Sequence, residues 1–154
     1  MMQKVLMVCL GNICRSPLAE GILTAKVDPD QVMVDSAGTG GWHIGEGPDP
    51  RSVSTARKNG IDISMQRCRR FVQEDFQDFD QIYVMDRSNL QNVLKMTDSA
   101  QDRAKVKLIL DELEPAAGLE VPDPYYGGDS GFDRVYEMLD EACERIAEKL
   151  NNES

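Results

Sequence analysis

The sequence predicts an α/β fold, a doubly wound parallel sheet of four strands with helices on both faces, and three observations predict it. Four short apolar runs, within residues 5–8, 31–35, 80–85 and 105–110, are separated by stretches of helical character. Strands that alternate with helices pair in parallel through right-handed crossovers, and the helices then cover both faces of the sheet. The first run passes through a short loop directly into a helix, which is the strand-loop-helix unit of such sheets. Finally, 154 residues suffice for one domain over residues 1–154 with a core that needs neither metal nor disulfide.

The elements follow in order. Val5-Leu6-Met7-Val8 is the first strand, Leu10 to Cys14 the loop, and Ser16-Pro17 opens a helix whose apolar residues Leu18 and Ile22 fall one turn apart. Asp28-Pro29-Asp30 is a turn, and Gln31 to Asp35 alternates as the second strand. Between Ser36 and Pro50 stand glycines 38, 40, 41, 45 and 47, with Trp42 among them. Gly38-x-Gly40 is not a dinucleotide fingerprint, because His43 takes the place of the third glycine. The stretch reads as a functional surface loop. A tryptophan among glycines has no periodic apolar face to join, so Trp42 reads as the wall of a binding site.

Asp49-Pro50 caps a helix over Pro50 to Asn59 that Gly60 ends, and Asp80 to Met85 is the third strand, followed by a helix through Leu90, Val93 and Leu94. Lys105 to Leu110 alternates as an edge strand. The last helix carries Phe132, Val135, Tyr136, Leu139, Cys143, Ile146 and Leu150 on one stripe, with Ser130-x-x-Asp133 as a capping box and a polar tail from Asn151 to Ser154.

Composition excludes several functions. A net charge of -10 argues against nucleic acid, which requires a basic face to displace counterions. The first apolar run is too short for a membrane span or a signal peptide, so a cytoplasmic protein with its 4 cysteines reduced is expected, with no membrane partner. There is no Cys-x-x-Cys and one histidine, so neither metal nor cofactor is expected. The same negative charge leaves an anionic substrate without long-range attraction, and binding must come from local groups. Arg67-Cys68-Arg69-Arg70 is either a local basic patch or a solvated face.

The chemistry concentrates in Cys9-Leu10-Gly11-Asn12-Ile13-Cys14-Arg15-Ser16. A loop that feeds a helix N-terminus directs unpaired backbone N–H groups into one concavity, and the helix dipole adds positive charge there. That cradle suits a phosphate, and it equally stabilises a thiolate at Cys9, with Arg15 and the Ser16 hydroxyl as further support. Arg15 is forked and planar, so it can bind two oxygens of one phosphoryl group. Cys14 lies in the same loop, either as a small residue packed behind it or as a redox partner of the nucleophile.

Val8 to Pro17 resembles the signature of the low-molecular-weight protein tyrosine phosphatases. Asp35-Ser36-Ala37-Gly38, Met85-Asp86-Arg87-Ser88-Asn89-Leu90 and Val121-Pro122-Asp123-Pro124-Tyr125-Tyr126-Gly127 match three further segments of that family in order and spacing. The resemblance implies a flavodoxin-like sheet of order 2-1-3-4 with the Cys9 loop where the order reverses. It implies hydrolysis of phosphotyrosine and aryl phosphates through a phosphocysteine, with Cys9 as nucleophile, Arg15 holding the transferring group and Asp123 as general acid and then base. It further implies that Leu10, Gly11, Asn12, Ile13, Cys14 and Ser16 hold the phosphate, that Asn12 and Ser36 tie the loop in shape, and that Leu10, Trp42 and Tyr125 wall the substrate ring. It also implies a reversible Cys9–Cys14 disulfide. Partners would be phosphotyrosine-containing proteins, a tyrosine kinase among them, with the enzyme a monomer or weakly self-associating.

The chain departs from the family where many members have histidine and it has Gln66. On the same fold, arsenate reductases need two further relay cysteines, and protein-arginine phosphatases have threonine where Ile13 stands. A catalytically silent phosphotyrosine-binding module would have lost Cys9, Arg15 or Asp123, and all three are present.

Overall fold

The computed structural model of the protein describes residues 2–126 and 129–153. Its centre is a four-stranded parallel sheet of order β2-β1-β3-β4, formed by β1 (Gln3–Cys9), β2 (Val32–Gly38), β3 (Gln81–Val84) and β4 (Val106–Leu108). β1 pairs with β2 from Gln3 opposite Val32 to Cys9 opposite Gly38, and with β3 from Val5 opposite Gln81 to Val8 opposite Val84. The chain leaves β1 toward one neighbour and returns to the other, so the sheet order reverses at β1. The end of β1 therefore opens into a crevice between two diverging connections.

Alternation along β1 divides the core into two halves. Val5, Met7 and Cys9 belong to one cluster, with Leu18, Ile22 and the stripe of the last helix, whereas Leu6 and Val8 belong to the other, with Phe71, Phe76, Ile82 and Val84. Helices α1 (Arg15–Thr24), α2 (Pro50–Lys58) and α6 (Asp129–Glu153) cover the first face. The short α3 (Asp75–Asp78) and α4 (Arg87–Leu94) lie on the second, and α5 (Ala100–Arg103) precedes β4. Cys143 on α6 is fully buried and points its sulfur at the Ala19 carbonyl of α1, 3.7 Å away.

Two sequence expectations are adjusted. The fourth strand stops at Leu108 and the chain tightens into a 3₁₀ turn over Ile109–Glu112, which drives Ile109 and Leu110 into the first core half. The polar tail at Asn151 continues as helix to Glu153. The Ser130 side chain of the expected capping box lies outside the described residues.

Candidate active site

The loop from Leu10 to Cys14 is tied outward by its carbonyls. Those of Cys9 and Leu10 accept the amides of Thr39 and Gly40 at 2.9 and 2.8 Å, that of Ile13 accepts Asp49 N–H at 2.8 Å, and that of Asn12 accepts the Cys68 thiol at 2.8 Å. The amides of Gly11 to Arg15, by contrast, donate to no protein acceptor among the described residues. Carbonyls out and amides in is the polarity of an anion cradle, set against the N-terminus of α1. Asn12 takes a left-handed φ of 57° to turn the loop. Gly38 is required behind it, since a Cβ there would stand 2.8 Å from the Leu10 carbonyl and 3.0 Å from the Asn12 amide.

A hydrogen-bonded chain runs behind the loop, and its donors fix its direction. Asn12 Oδ1 accepts the Arg69 amide at 3.0 Å, which turns Asn12 Nδ2 toward Ser16 Oγ (2.9 Å) and Ser36 Oγ (3.0 Å). Ser36 gives its own hydrogen to Glu20 Oε1 at 2.7 Å. Ser16, already accepting from Asn12, lies 3.0 Å from Cys9 Sγ and 3.5 Å from the Ala37 carbonyl, so its hydrogen goes to the sulfur when Cys9 is a thiolate, which can only accept. Burial pushes the Glu20 carboxyl up to about 7, against the Ser36 hydrogen bond that favours its charged form; Asp35 raises it further and Arg69 lowers it.

Arg15 is buried and doubly held. Its Nη1 donates to Asp86 Oδ2 at 2.7 Å and to the Val121 carbonyl at 2.9 Å, and its Nη2 lies 3.7 Å from Asp123 Oδ2. Burial opposes the guanidinium charge, but Cys9, Asp86 and Asp123 outweigh it and hold Arg15 above the ordinary arginine value. Asp86 serves two elements at once. Its Oδ1 caps α4 by accepting Asn89 N–H at 2.8 Å, while Oδ2 fixes Arg15.

The rim comes from distant segments. Asp123 and Tyr125 follow Val121, which the Met85 carbonyl ties to the end of β3 through Val121 N–H at 2.8 Å. Asp123 Oδ1 accepts Tyr125 N–H at 3.0 Å, leaving Oδ2 directed toward Arg15. Arg51, clamped by Asp49 through Nε and Nη2, lies over the Tyr125 ring at 5.4 Å and the Phe132 ring at 4.7 Å, which steadies the Tyr125 wall. On the other side the Trp42 ring lies against Gly40, where any Cβ would overlap it. Trp42 is held this way while staying 69% exposed.

These parts enclose a cleft of about 280 Å³ lined by Cys9, Leu10, Gly11, Ile13, Cys14, Arg15, Trp42, His43, Asp123 and Tyr125. Asn12, Ser16 and Ser36 do not line it; their side chains are buried behind the loop. Cys14 caps α1 without a side-chain bond, and its thiol is pushed up to about 12 by burial and then by Asp49, Cys9 and Asp123. The basic run does not act as one patch, because Arg69 is engaged by Asp35 and Asp75. Gln66 donates to the Pro17 carbonyl at 3.1 Å, and its buried Oε1 has no partner among the described residues.

Sequence reasoning left Glu20, Asp86 and Arg51 without a role. Asp86 sits in a quoted segment three places before Asn89, which is a capping signal, but nothing in that pattern points to Arg15. Arg51 and Glu20 read as ordinary polar positions on helices.

The model of the family described as low molecular weight phosphotyrosine protein phosphatase matches residues 4–154. The chain is 43% identical to the low molecular weight phosphotyrosine protein phosphatase of Schizosaccharomyces pombe, over 88% of this chain and 89% of that protein. It is 40% identical to that of Sus scrofa, over 96% of both. A crystal structure of a protein tyrosine phosphatase from Entamoeba histolytica, with Hepes in its active site, superposes with a TM-score of 0.90 at 37% identity, covering 97% of each chain.

Proposed function

The chain belongs to the low-molecular-weight phosphotyrosine protein phosphatase family and is a protein-tyrosine phosphatase, and on that premise we propose how Cys9, Arg15 and Asp123 divide its chemistry. The observation that carries the assignment is the Cys9 sulfur at the foot of a loop whose amides, from Gly11 to Arg15, meet no protein acceptor among the described residues, beside a buried and fixed Arg15. Cys9 attacks phosphorus as the thiolate, and the amides with Arg15 hold the charge on the transferring oxygens. Asp86 and the Val121 carbonyl leave the outer edge of the guanidinium to meet two of those oxygens.

Asp123 gives its proton to the departing tyrosyl oxygen. It then takes one from the water that attacks phosphocysteine, releasing inorganic phosphate and restoring Cys9. The cleft walls Trp42 and Tyr125 present aromatic faces to the substrate ring, which supports phosphotyrosine over the shorter phosphoserine. Cys14, protonated at neutral pH, does not compete as nucleophile. If hydrogen peroxide converts Cys9 to a sulfenic acid, Cys14 closes a disulfide on it with loss of water.

The test is rapid quench of the protein with an aryl phosphate, followed by mass analysis, for wild type, Cys9→Ser and Asp123→Ala. Wild type is expected to show a phosphoryl adduct on Cys9, Cys9→Ser no turnover, and Asp123→Ala a rate lower by roughly 10²–10⁴-fold. An adduct on another residue, or full activity in Asp123→Ala, would overturn the assignment.

A further inference from the structure

A second recess opens directly beside the catalytic cleft. Leu10 and Trp42 are walls of both, so the two spaces adjoin along those residues. The recess measures about 870 Å³, toward the upper end of the roughly 300–1,000 Å³ typical of ligand sites, and it is an open groove. Its floor and far side are formed by Thr39, Phe71, Val72, Gln73, Asn92 and Met96.

Three of its properties bear on an occupant. Exposed apolar side chains gather there, with Leu10, Trp42, Val72 and Met96 all more than a third exposed. Its charge runs against that of the molecule: no carboxylate lines it, and Arg70, exposed alongside Gly41, makes no ion pair among the described residues, although the chain has a net charge of -10. Its polar groups are idle as well. Among the described residues, Gln73 and Asn92 make no side-chain hydrogen bond and the buried Thr39 Oγ1 has no partner.

We propose that this groove is a docking subsite for the segment of the substrate protein next to its phosphotyrosine, and that it selects an apolar side chain accompanied by an acidic one. The inference rests on the phosphatase reading, since it is the phosphotyrosine ring between Trp42 and Tyr125 that brings the neighbouring chain across Leu10 and Trp42. An extended peptide presents alternate side chains to a surface and needs partners for its backbone. Val72 and Met96 receive the apolar side chain, Arg70 meets the carboxylate, and Asn92 and Gln73 carry both donors and acceptors for the backbone.

The experiment compares kcat/KM for three substrates: p-nitrophenyl phosphate, a phosphotyrosyl peptide flanked by Asp and Leu on both sides, and the same peptide with Lys and Ser. Arg70→Glu is expected to leave p-nitrophenyl phosphate within twofold and to lower the Asp/Leu peptide by roughly tenfold, as reversal of one partly exposed charge contact allows. The Lys/Ser peptide should gain. Met96→Ala should lower the Asp/Leu peptide alone. Equal effects of Arg70→Glu on all three substrates, or a wild type that does not prefer the Asp/Leu peptide, would overturn the subsite while leaving the phosphatase intact. Lack of turnover of p-nitrophenyl phosphate by wild type would overturn both.

Discussion

The floor and the rim of the catalytic cleft are built on opposite terms. On the floor and in the layer directly behind it, Cys9, Asn12, Arg15 and Ser36 are each less than 5% exposed, and every polar side chain named has a hydrogen-bond partner. On the rim, Leu10, Trp42 and Tyr125 are 39, 69 and 41% exposed, with Trp42 packed against Gly40 and Tyr125 under Arg51. The floor must be organised before substrate arrives, because charge stabilisation in the transition state works only when the dipoles need not reorient. The rim meets a ring and a peptide of varied shape, so contact area there is useful without rigidity. A substitution on the floor should therefore act on kcat, and one on the rim on KM.

The largest effect expected from this contrast is at Arg15. Lysine in its place keeps the charge but cannot bond Asp86 and Val121 while also presenting two donors to the phosphoryl oxygens. Arg15→Lys should reduce kcat by roughly 10³-fold or more, with KM for an aryl phosphate changed far less. Steady-state kinetics check this, with a thermal melt to register the half-buried Asp86 left without its arginine partner. A change confined to KM would place Arg15 among the binding groups and erase the contrast.

The floor was largely legible in the sequence, and the reason is its locality. The strand, the loop and the first turn of α1 occupy consecutive residues, so Cys9, Arg15 and Ser16 stand out through their place between strand and helix. Ser36 was singled out only by the family resemblance, and it reaches the loop because β2 is the neighbour of β1, with Met7 opposite Ser36. Asp123 lies in a segment far along the chain among 27 acidic residues, and only the family resemblance singled it out. Asp86 escaped notice because its second task exists only once β3 lies beside β1 and brings the start of α4 to Arg15. Arg51 likewise acquires meaning from Tyr125 and Phe132, which the chain delivers more than 70 positions later. The early end of β4 had no local mark either, since Ile109 and Leu110 are apolar enough for strand or core.

A middle-sized effect should appear at the far end of the floor's hydrogen-bonded chain. Glu20 has an ordinary value of 4.5 and is held near 7 in the folded protein by burial, so between those two pH values the folded state keeps a proton that the unfolded state has lost. Stability must then fall as pH rises from 4.5 to 7 and level off above it, by on the order of 2–3 kcal/mol from this group. Glu20→Gln removes the titration yet still accepts the Ser36 hydrogen. Urea unfolding at pH 5 and pH 8 should show the variant losing that slope and gaining at pH 8 relative to wild type. An unchanged slope would mean that Glu20 is charged throughout and that burial there costs less than the geometry indicates.

The smallest effect belongs to the rim and sharpens the contrast from its other side. In the proposed mechanism Trp42 contributes one aromatic face to the substrate ring; it rests on Gly40 with most of its surface in water, so its removal exposes little new apolar area and disturbs no polar partner among the described residues. Trp42→Ala should raise KM for an aryl phosphate by a few-fold, corresponding to roughly 1 kcal/mol of lost ring contact, and leave kcat within about twofold. Because the phosphoryl group is held entirely by the floor, a contact that is equally good in ground and transition states is lost from binding alone. A large fall in kcat for Trp42→Ala, with KM unaltered, would show that the ring wall aligns the leaving oxygen for Asp123, and the boundary between floor and rim would have to be redrawn to include it.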